Sequence, residues 1–356
     1  MNSNFLIFIG AIVLLIIIHE LGHFLAAKLF GVEVEEFGLG FPPRAVTLFT
    51  LGGTIYSLNW IPLGGFVRPK GENDPTVPGG LAGASPWVRI AVFAAGPFAN
   101  FLAAILLFTY IFTRVGVPDY TQTLINLVNE ESPAAQAGLQ PGDIITHLND
   151  IAITSPEVLQ ATVAENLGKE TLVTYLRDGQ TFQTTLTPRE NPPAGEGAMG
   201  IAYNHPTVKV GFSQAVSMGS VALYDQVMQI LTLPARVIEG SIAPEQARLV
   251  GYKGMYDIYK NYREADQEAA VQEEPNAGLN TIYFFASISI SLGLLNLFPI
   301  PALDGGRIAF ALPEIIFRKR IPQSAENMIN LISFAMLILL MLYINIQDFV
   351  NPAAIP

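Results

Sequence analysis

Long apolar runs broken at a few polar positions dominate the chain and set its predicted elements. A helix crosses a bilayer core of about 30 Å with about 20 apolar residues. Four stretches approach or meet that length, at 5–29, 87–113, 279–301 and 326–346. The first opens FLIFIGAIVLLIII, but no Lys or Arg precedes it and no small-residue cleavage site follows. It therefore reads as a retained span rather than a signal peptide. Between the first two stretches, AVTLFTLGGTIYSLNWIPLGGFV alternates apolar and polar residues around Gly52 and Gly53, which predicts a β-hairpin. The hairpin is apolar enough to dip into a membrane, and a small soluble hairpin has the same pattern.

Residues 121–203 hold short β-like runs (TLINLV, DIITHL, TLVTYL, FQTTLT) separated by turn signals at Pro141-Gly142-Asp143 and Arg177-Asp178-Gly179. They predict a small strand-rich domain. Helical periodicity with mixed polarity follows at 212–239 and 245–263, and the acidic stretch from Glu264 to Glu274 and Pro275 reads as a solvated linker. Asp225, Gln226, Gln229 and Pro234 interrupt 212–239, which favours an interfacial helix over a fifth span. The expected segments are a first span at 1–31, a hairpin region at 32–86, a second span at 87–114 and an inserted α+β domain at 120–204. Amphipathic helices with the linker follow at 205–278, then a third span at 279–306 and a fourth at 325–347.

Composition agrees with a membrane protein carrying soluble parts: 51% of residues are hydrophobic, 14% are charged, and the mean hydropathy is +0.40. The net charge of -11, with no long run among 19 Lys and Arg, excludes a nucleic-acid surface. Cysteine is absent, so any metal must be held by His and carboxylates. Arg307, Arg318, Lys319 and Arg320 follow the third span, and Arg44, Arg68 and Lys70 follow the first, whereas neither terminus carries a Lys or Arg. This bias predicts that both termini and the strand-rich domain lie outside the cytoplasm. The acids Glu33, Glu35, Glu36, Glu72 and Asp74 in the same loop weigh little in that rule.

The candidate chemistry lies inside the first span. His19-Glu20-Leu21-Gly22-His23 is the pattern H-E-x-x-H. Residues four apart share one helix face about 6 Å apart along the axis, so both imidazoles reach one metal while Glu20 stands beside it to handle a bound water. Three ionisable groups in five residues are costly in lipid, and a polar patch for helix packing or a wet span end is the plainer alternative. A third ligand is required. In Asn296-Leu297-Phe298-Pro299-Ile300-Pro301-Ala302-Leu303-Asp304-Gly305-Gly306, Pro299 and Pro301 should unwind the end of the third span and free Asp304 to turn inward. The plainer fate of an Asp-Gly-Gly is a turn carboxylate. His19 lies roughly 21 Å into the first span and Asn296 at a similar distance into the third, so the motifs share a depth if the two spans run the same way. A fifth span at 212–239 would break that match. Asn296 is a candidate donor to the substrate backbone or oxyanion, or a helix–helix hydrogen bond. In Gly96-Pro97-Phe98-Ala99-Asn100 of the second span, Gly96 and Asn100 share a face that would pack close to the first. His147 and His205 match no motif and read as surface residues.

Together, HELGHFLAAKLFGV (19–32), FGLGFPPR (37–44), IPLGGFVRPKGE (61–72), AAGPFANFLAAILLF (94–108) and NLFPIPALDGG (296–306) resemble the site-2 protease family of intramembrane zinc metalloproteases, peptidase family M50, in its bacterial form. SPAAQAGLQPGDIITHLND (132–150) resembles a circularly permuted PDZ domain. The resemblance implies a polytopic α-helical membrane protein of about four transmembrane helices, with a membrane-associated β-hairpin and an inserted α+β PDZ domain. It implies one Zn2+ per chain held by His19, His23 and Asp304, Glu20 as general base, and 45–68 presenting substrate in extended form. The implied setting is the bacterial plasma membrane, with the active site towards the cytoplasmic side. Implied partners are membrane lipid and transmembrane substrates, such as anti-sigma factors or remnant signal peptides, already cut by an upstream site-1 protease. The PDZ domain would screen substrates by size or bind new C-termini. The chain departs from some relatives in its single PDZ domain and its long acidic linker. A catalytically inactive PDZ scaffold is the rival reading, and a metal transporter a second, although the second and fourth spans offer almost no ionisable path.

Overall fold

In the computed structural model, which describes residues 3–193, 195–272 and 276–352, the chain folds as two units. One is drawn from the segments before Val115 and after Gly211, the other is Val115–Gly211. The first unit begins with helix α1 (Ser3–Leu29), strands β1 (Val34–Leu51) and β2 (Thr54–Pro69), and helix α2 (Pro86–Val115). The second unit comprises β3 (Val117–Pro118), β4 (Thr123–Val128), α3 (Pro133–Gln136), β5 (Ile144–Leu148), β6 (Ile151–Ala152), α4 (Pro156–Glu165), β7 (Thr171–Arg177), β8 (Gln180–Leu186), β9 (Ile201–Asn204) and β10 (Thr207–Val208). The first unit then resumes with α5 (Phe212–Ile238), a 3-10 turn at Pro244–Ala247, α6 (Tyr252–Val271), α7 (Leu279–Leu297), α8 (Asp304–Phe317) and α9 (Gln323–Val350).

Among the described residues, α1, α2, α7 and α9 are long and apolar enough to cross a membrane. Their register follows from side-chain contacts. Phe8 of α1 packs with Tyr259 of α6 and Phe284 of α7, and farther along the same two helices' path His19 meets Asp304. Helices α1 and α7 therefore run the same way. Helix α2 runs against α1, because His23 reaches Val92 while His19 reaches Asn100. The approach is close: a Cβ on Gly22 would sit 2.3 Å from the Ala95 carbonyl oxygen. Helix α5 lies along α2 and α7, where Gly219 abuts Ile105 and Thr109 and Gln226 donates to Ser287 Oγ at 2.6 Å.

Two sequence expectations change here. The acidic stretch read as a linker is helical through Val271, and residues 273–275 lie outside the described residues. Its Asp266 is buried and accepts the Asn280 and Thr281 amides at 3.0 and 2.9 Å, filling donors that the first turn of α7 leaves open. Charge alone reads as solvated, whereas a helix N-terminus can bury a carboxylate. Asp348 of α9 does the same for α6, accepting the Gly251 and Gly254 amides, both at 2.9 Å. The segment after α7 is likewise no mere loop, because α8 restarts at Asp304, and residues 298–303 form the break that Pro299 and Pro301 impose.

The predicted hairpin is larger than its sequence pattern. Beyond the Gly52-Gly53 turn, where Leu51 pairs with Thr54, β1 and β2 each bend and make four paired segments. Residues 44–51 pair with 54–59, which pair with 36–41, which pair with 65–69. The segment 65–69 is an edge. Side chains along 41–51, including Phe41, Leu48 and Phe49, are exposed. Glu36 is buried among Arg44, Arg68 and Ser57, at 2.7, 3.1 and 2.7 Å. Burial opposes its ionisation, but these donors and the two guanidinium charges hold the carboxyl below its ordinary range. A depressed folded pKa contributes stability above the unfolded value of about 4.3 and loses it as pH falls through the folded one. Amide protection in β1 and β2 should therefore be flat above that pH and fall below it, and Glu36→Gln should flatten the acid limb. An unchanged acid limb in Glu36→Gln would remove Glu36 as its cause.

In the second unit the sheet order is β8-β7-β5-β4-β9, with β6 paired to β5, and β10 pairs with β3. Ile125, Ile145, Leu148, Leu159, Val173 and Leu186 are core residues contributed by alternate strand positions and by α4. Ser132 and Ser155 cap α3 and α4 through their side-chain oxygens. Buried Asp143 accepts the Gln140 amide and pairs with Arg177, both through contacts of 2.7 to 2.8 Å. His147 is exposed, and half-buried His205 donates from Nδ1 to Gln122 O at 3.1 Å and meets the Tyr120 ring edge-on.

Candidate metal centre

Helical spacing in α1 puts His19 and His23 on one face, and antiparallel α2 closes over that face. The break after α7 brings Asp304, the first residue of α8, to the same point. His19 Nε2 lies 3.1 Å and His23 Nε2 3.3 Å from Asp304 Oδ2, and the two Nε2 atoms are 3.2 Å apart. Ligand atoms about 2.0 to 2.1 Å from a tetrahedral ion stand about 3.3 Å from one another. The three donors thus have the spacing of one tetrahedral face. Two imidazoles and a carboxylate are also the donor chemistry that suits zinc.

Two neighbours fit the same reading. His23 Nδ1 meets the Val92 carbonyl oxygen at 2.8 Å, so this nitrogen carries the proton and leaves the Nε2 lone pair for a metal. Gly96 supplies the space. A Cβ there would lie 2.3 Å from His23 Nε2 and 2.9 Å from His19 Nε2. The sequence expected close packing from Gly96, and the structure places that close approach at the two histidine Nε2 atoms.

A cavity of about 340 Å³ opens beside the cluster, lined by Glu20, by 65–67 of the sheet edge, by Asn296 and Leu303, and by Phe334 of α9. Glu20 is half-buried on the cavity wall next to the two histidines, and a Cβ on Gly65 would lie 3.3 Å from its Cγ. The backbone edge of β2 therefore runs directly past Glu20. Asn296 also faces this cavity, but its Nδ2 donates to Leu292 O within its own helix at 2.9 Å, not across to another helix.

Sequence reading missed one residue at the cavity and gave another only a packing role. Arg307, noted only as an orientation charge, pairs with Glu72 at the cavity and stacks over Phe93 at 5.3 Å. Its position one turn after Asp304 in α8 was the available signal, once the helix is known. Asn100 was read as packing. It is fully buried, with its side-chain amide 3.2 Å from His19 Nδ1.

The chain matches the description Peptidase family M50 over residues 7–340. It is 30% identical over 343 residues to a protein of Clostridium perfringens named as a candidate zinc metalloprotease, covering 95% of this chain and 96% of that relative. It is 28% identical over 416 residues to Regulator of sigma-W protease RasP of Bacillus subtilis, covering 94% of this chain and 95% of that relative. Among solved structures, the PDZ domain of an SdrC-like protein from Listeria monocytogenes matches 24% of this chain and 88% of its own, at 21% identity and a TM-score of 0.21.

Proposed function

The chain belongs to peptidase family M50 and is a zinc-dependent protease of the membrane, and from that premise we propose which of its residues carry the reaction. His19, His23 and Asp304 hold the zinc, and the observation that carries this assignment is their convergence at 3.1 to 3.3 Å beside a cavity containing Glu20. Bound zinc supplies a water that is acidic near neutral pH and polarises the carbonyl to be attacked. Glu20 takes the proton from the attacking water and delivers it to the departing amine. Asn296 keeps one amide N–H free after bonding Leu292 O, and that N–H donates to the substrate backbone or its oxyanion.

The substrate reaches this point as a strand. Residues 65–69 are paired on one side by β1, and their other side runs along the cavity. An extended segment added to that edge would place its peptide bonds over Glu20, and the main-chain ladder supplies affinity with little demand on sequence. A helical transmembrane segment must unwind to bind this way. The exposed apolar side chains of 41–51 support a membrane location for this sheet and substrates that are transmembrane segments.

The substrates are membrane proteins of the anti-sigma factor or remnant signal peptide kind, trimmed first by a separate site-1 protease. The enzyme lies in the bacterial plasma membrane with its active site towards the cytoplasm, and with Val115–Gly211, a PDZ module, outside. Supporting this sidedness is the Lys and Arg bias around the hairpin and α8. The inactive-scaffold alternative is disfavoured by the joint presence of Glu20 and the complete ligand set at one cavity.

Stripping zinc from the purified protein with a chelator should reduce cleavage of a single-span membrane reporter in liposomes to background, and returning one zinc per chain should restore it. Undiminished cleavage by the metal-free protein would sink the proposal.

A further inference from the structure

Each histidine of the cluster has a second ring nitrogen, and what that nitrogen meets decides which nitrogen keeps the proton. For His23 the partner is the Val92 carbonyl oxygen, which can only accept. For His19 it is the side-chain amide of Asn100, at 3.2 Å from Nδ1. That amide can do either.

With Nδ2 facing the ring, Asn100 donates to Nδ1, and the His19 proton sits on Nε2, shared with Asp304 Oδ2 at 3.1 Å. This arrangement suits the site without metal, because a protonated Nε2 has no lone pair to give. It also leaves Asn100 Oδ1 buried without a hydrogen-bond partner. Metal ligation through Nε2 requires the other tautomer, with the proton on Nδ1. Then Nδ2 and Nδ1–H would be two donors face to face. A half-turn of the amide removes that clash and gives the orphaned Oδ1 its donor, at no change in side-chain shape. Water cannot substitute, since Asn100 is 0% exposed. The backbone at this residue is itself held, because Ser289 Oγ of α7 donates to the Asn100 carbonyl oxygen at 2.8 Å.

We propose that Asn100 is the positioning residue of the zinc site: in the loaded enzyme its side-chain oxygen accepts the Nδ1–H of His19 and so presents Nε2 to the metal. The inference rests on the zinc-protease reading and assigns Asn100 a role beyond helix packing. The same helix then orients both histidines, one through a main-chain and one through a side-chain oxygen.

The test is zinc affinity, measured by chelator competition on the purified full-length chain. Asn100→Leu keeps the bulk and removes the acceptor, and should weaken zinc binding about tenfold to a hundredfold. Asn100→Asp keeps an acceptor oxygen at the same place and should stay within about tenfold of the unsubstituted protein. A packing role alone predicts the reverse order, since a buried Asp is harder to accommodate than a Leu. Unaltered affinity in Asn100→Leu, or an equal loss in both variants, would overturn the proposal. Should either variant fail to fold, 15N NMR of the histidine-labelled, zinc-loaded wild-type protein decides: a proton on His19 Nδ1 supports the assignment and its absence overturns it. A wild-type protein that takes up no zinc would instead bring down the metalloprotease reading, and this inference with it.

Discussion

Glu20→Gln is expected to lower the cleavage rate of a membrane-embedded reporter by about 10²- to 10⁴-fold while zinc stays near one per chain. Glutamine keeps the shape of the side chain beside Gly65 and the cavity but cannot accept a proton at neutral pH. The proposed zinc ligands, His19, His23 and Asp304, meet one another directly, and the substitution leaves them in place. Two measurements separate this from general damage: metal content by elemental analysis and the single-turnover rate on reporter already bound. Full residual activity would dismiss Glu20 as the proton acceptor, and loss of zinc along with activity would recast it as part of the ligand set.

Gly96→Ala should be as damaging by an entirely different route. Alanine is the better helix former by about 1 kcal/mol, so α2 itself has no reason to object. The added methyl, however, would arrive 2.3 Å from His23 Nε2 and 2.6 Å from its Cε1, with His19 Nε2 at 2.9 Å. Both imidazoles would have to turn away from Asp304, and the tetrahedral face they form would be lost. The expected result is a folded protein in which zinc falls from near one per chain to near none, and cleavage with it. Zinc content together with circular dichroism checks this. A Gly96→Ala protein that retains its full zinc would show that the ligands do not sit where the structure places them.

These two residues differ in how they could be found. Glu20 is visible in the chain because H-E-x-x-H is local: a helix repeats every 3.6 residues, so four-residue spacing by itself puts two imidazoles on one face and the glutamate beside them. Asp304 was legible for a related reason. Two prolines in three residues must end a helix, and a carboxylate placed just after that break inside an apolar region needs a partner. Gly96 and Asn100 carry no such signal. Their i, i+4 spacing is compatible with simple helix packing, and only the register of α2 against α1 separates a packing surface from contact with the metal ligands.

The sheet beyond its central hairpin and the burial of part of the acidic segment lie outside what local patterns encode. Alternation around Gly52-Gly53 reveals the central hairpin, but the pairing of 36–41 with both 54–58 and 65–69 joins residues whose local patterns say nothing of each other. The edge that runs past Glu20 belongs to this non-local part. The acidic run from Glu264 was assigned to solvent by its charge, yet Asp266 is buried because the amides of Asn280 and Thr281 face it. Whether a carboxylate is solvated or caps a helix depends on what docks against it.

The linear chain thus determined the four long apolar helices, the strand-rich insertion, the histidine pair with its glutamate, and the carboxylate that joins them. Each follows from interactions between residues near in sequence, or from the cost of placing polar atoms in hydrocarbon. The folded arrangement alone decided that Asn100 faces His19 across 81 positions, that Gly96 leaves the ligands their space, and that a sheet edge lines the cavity. Those facts depend on how whole helices dock, and docking is set by many weak contacts summed over a surface, which no short stretch of residues encodes.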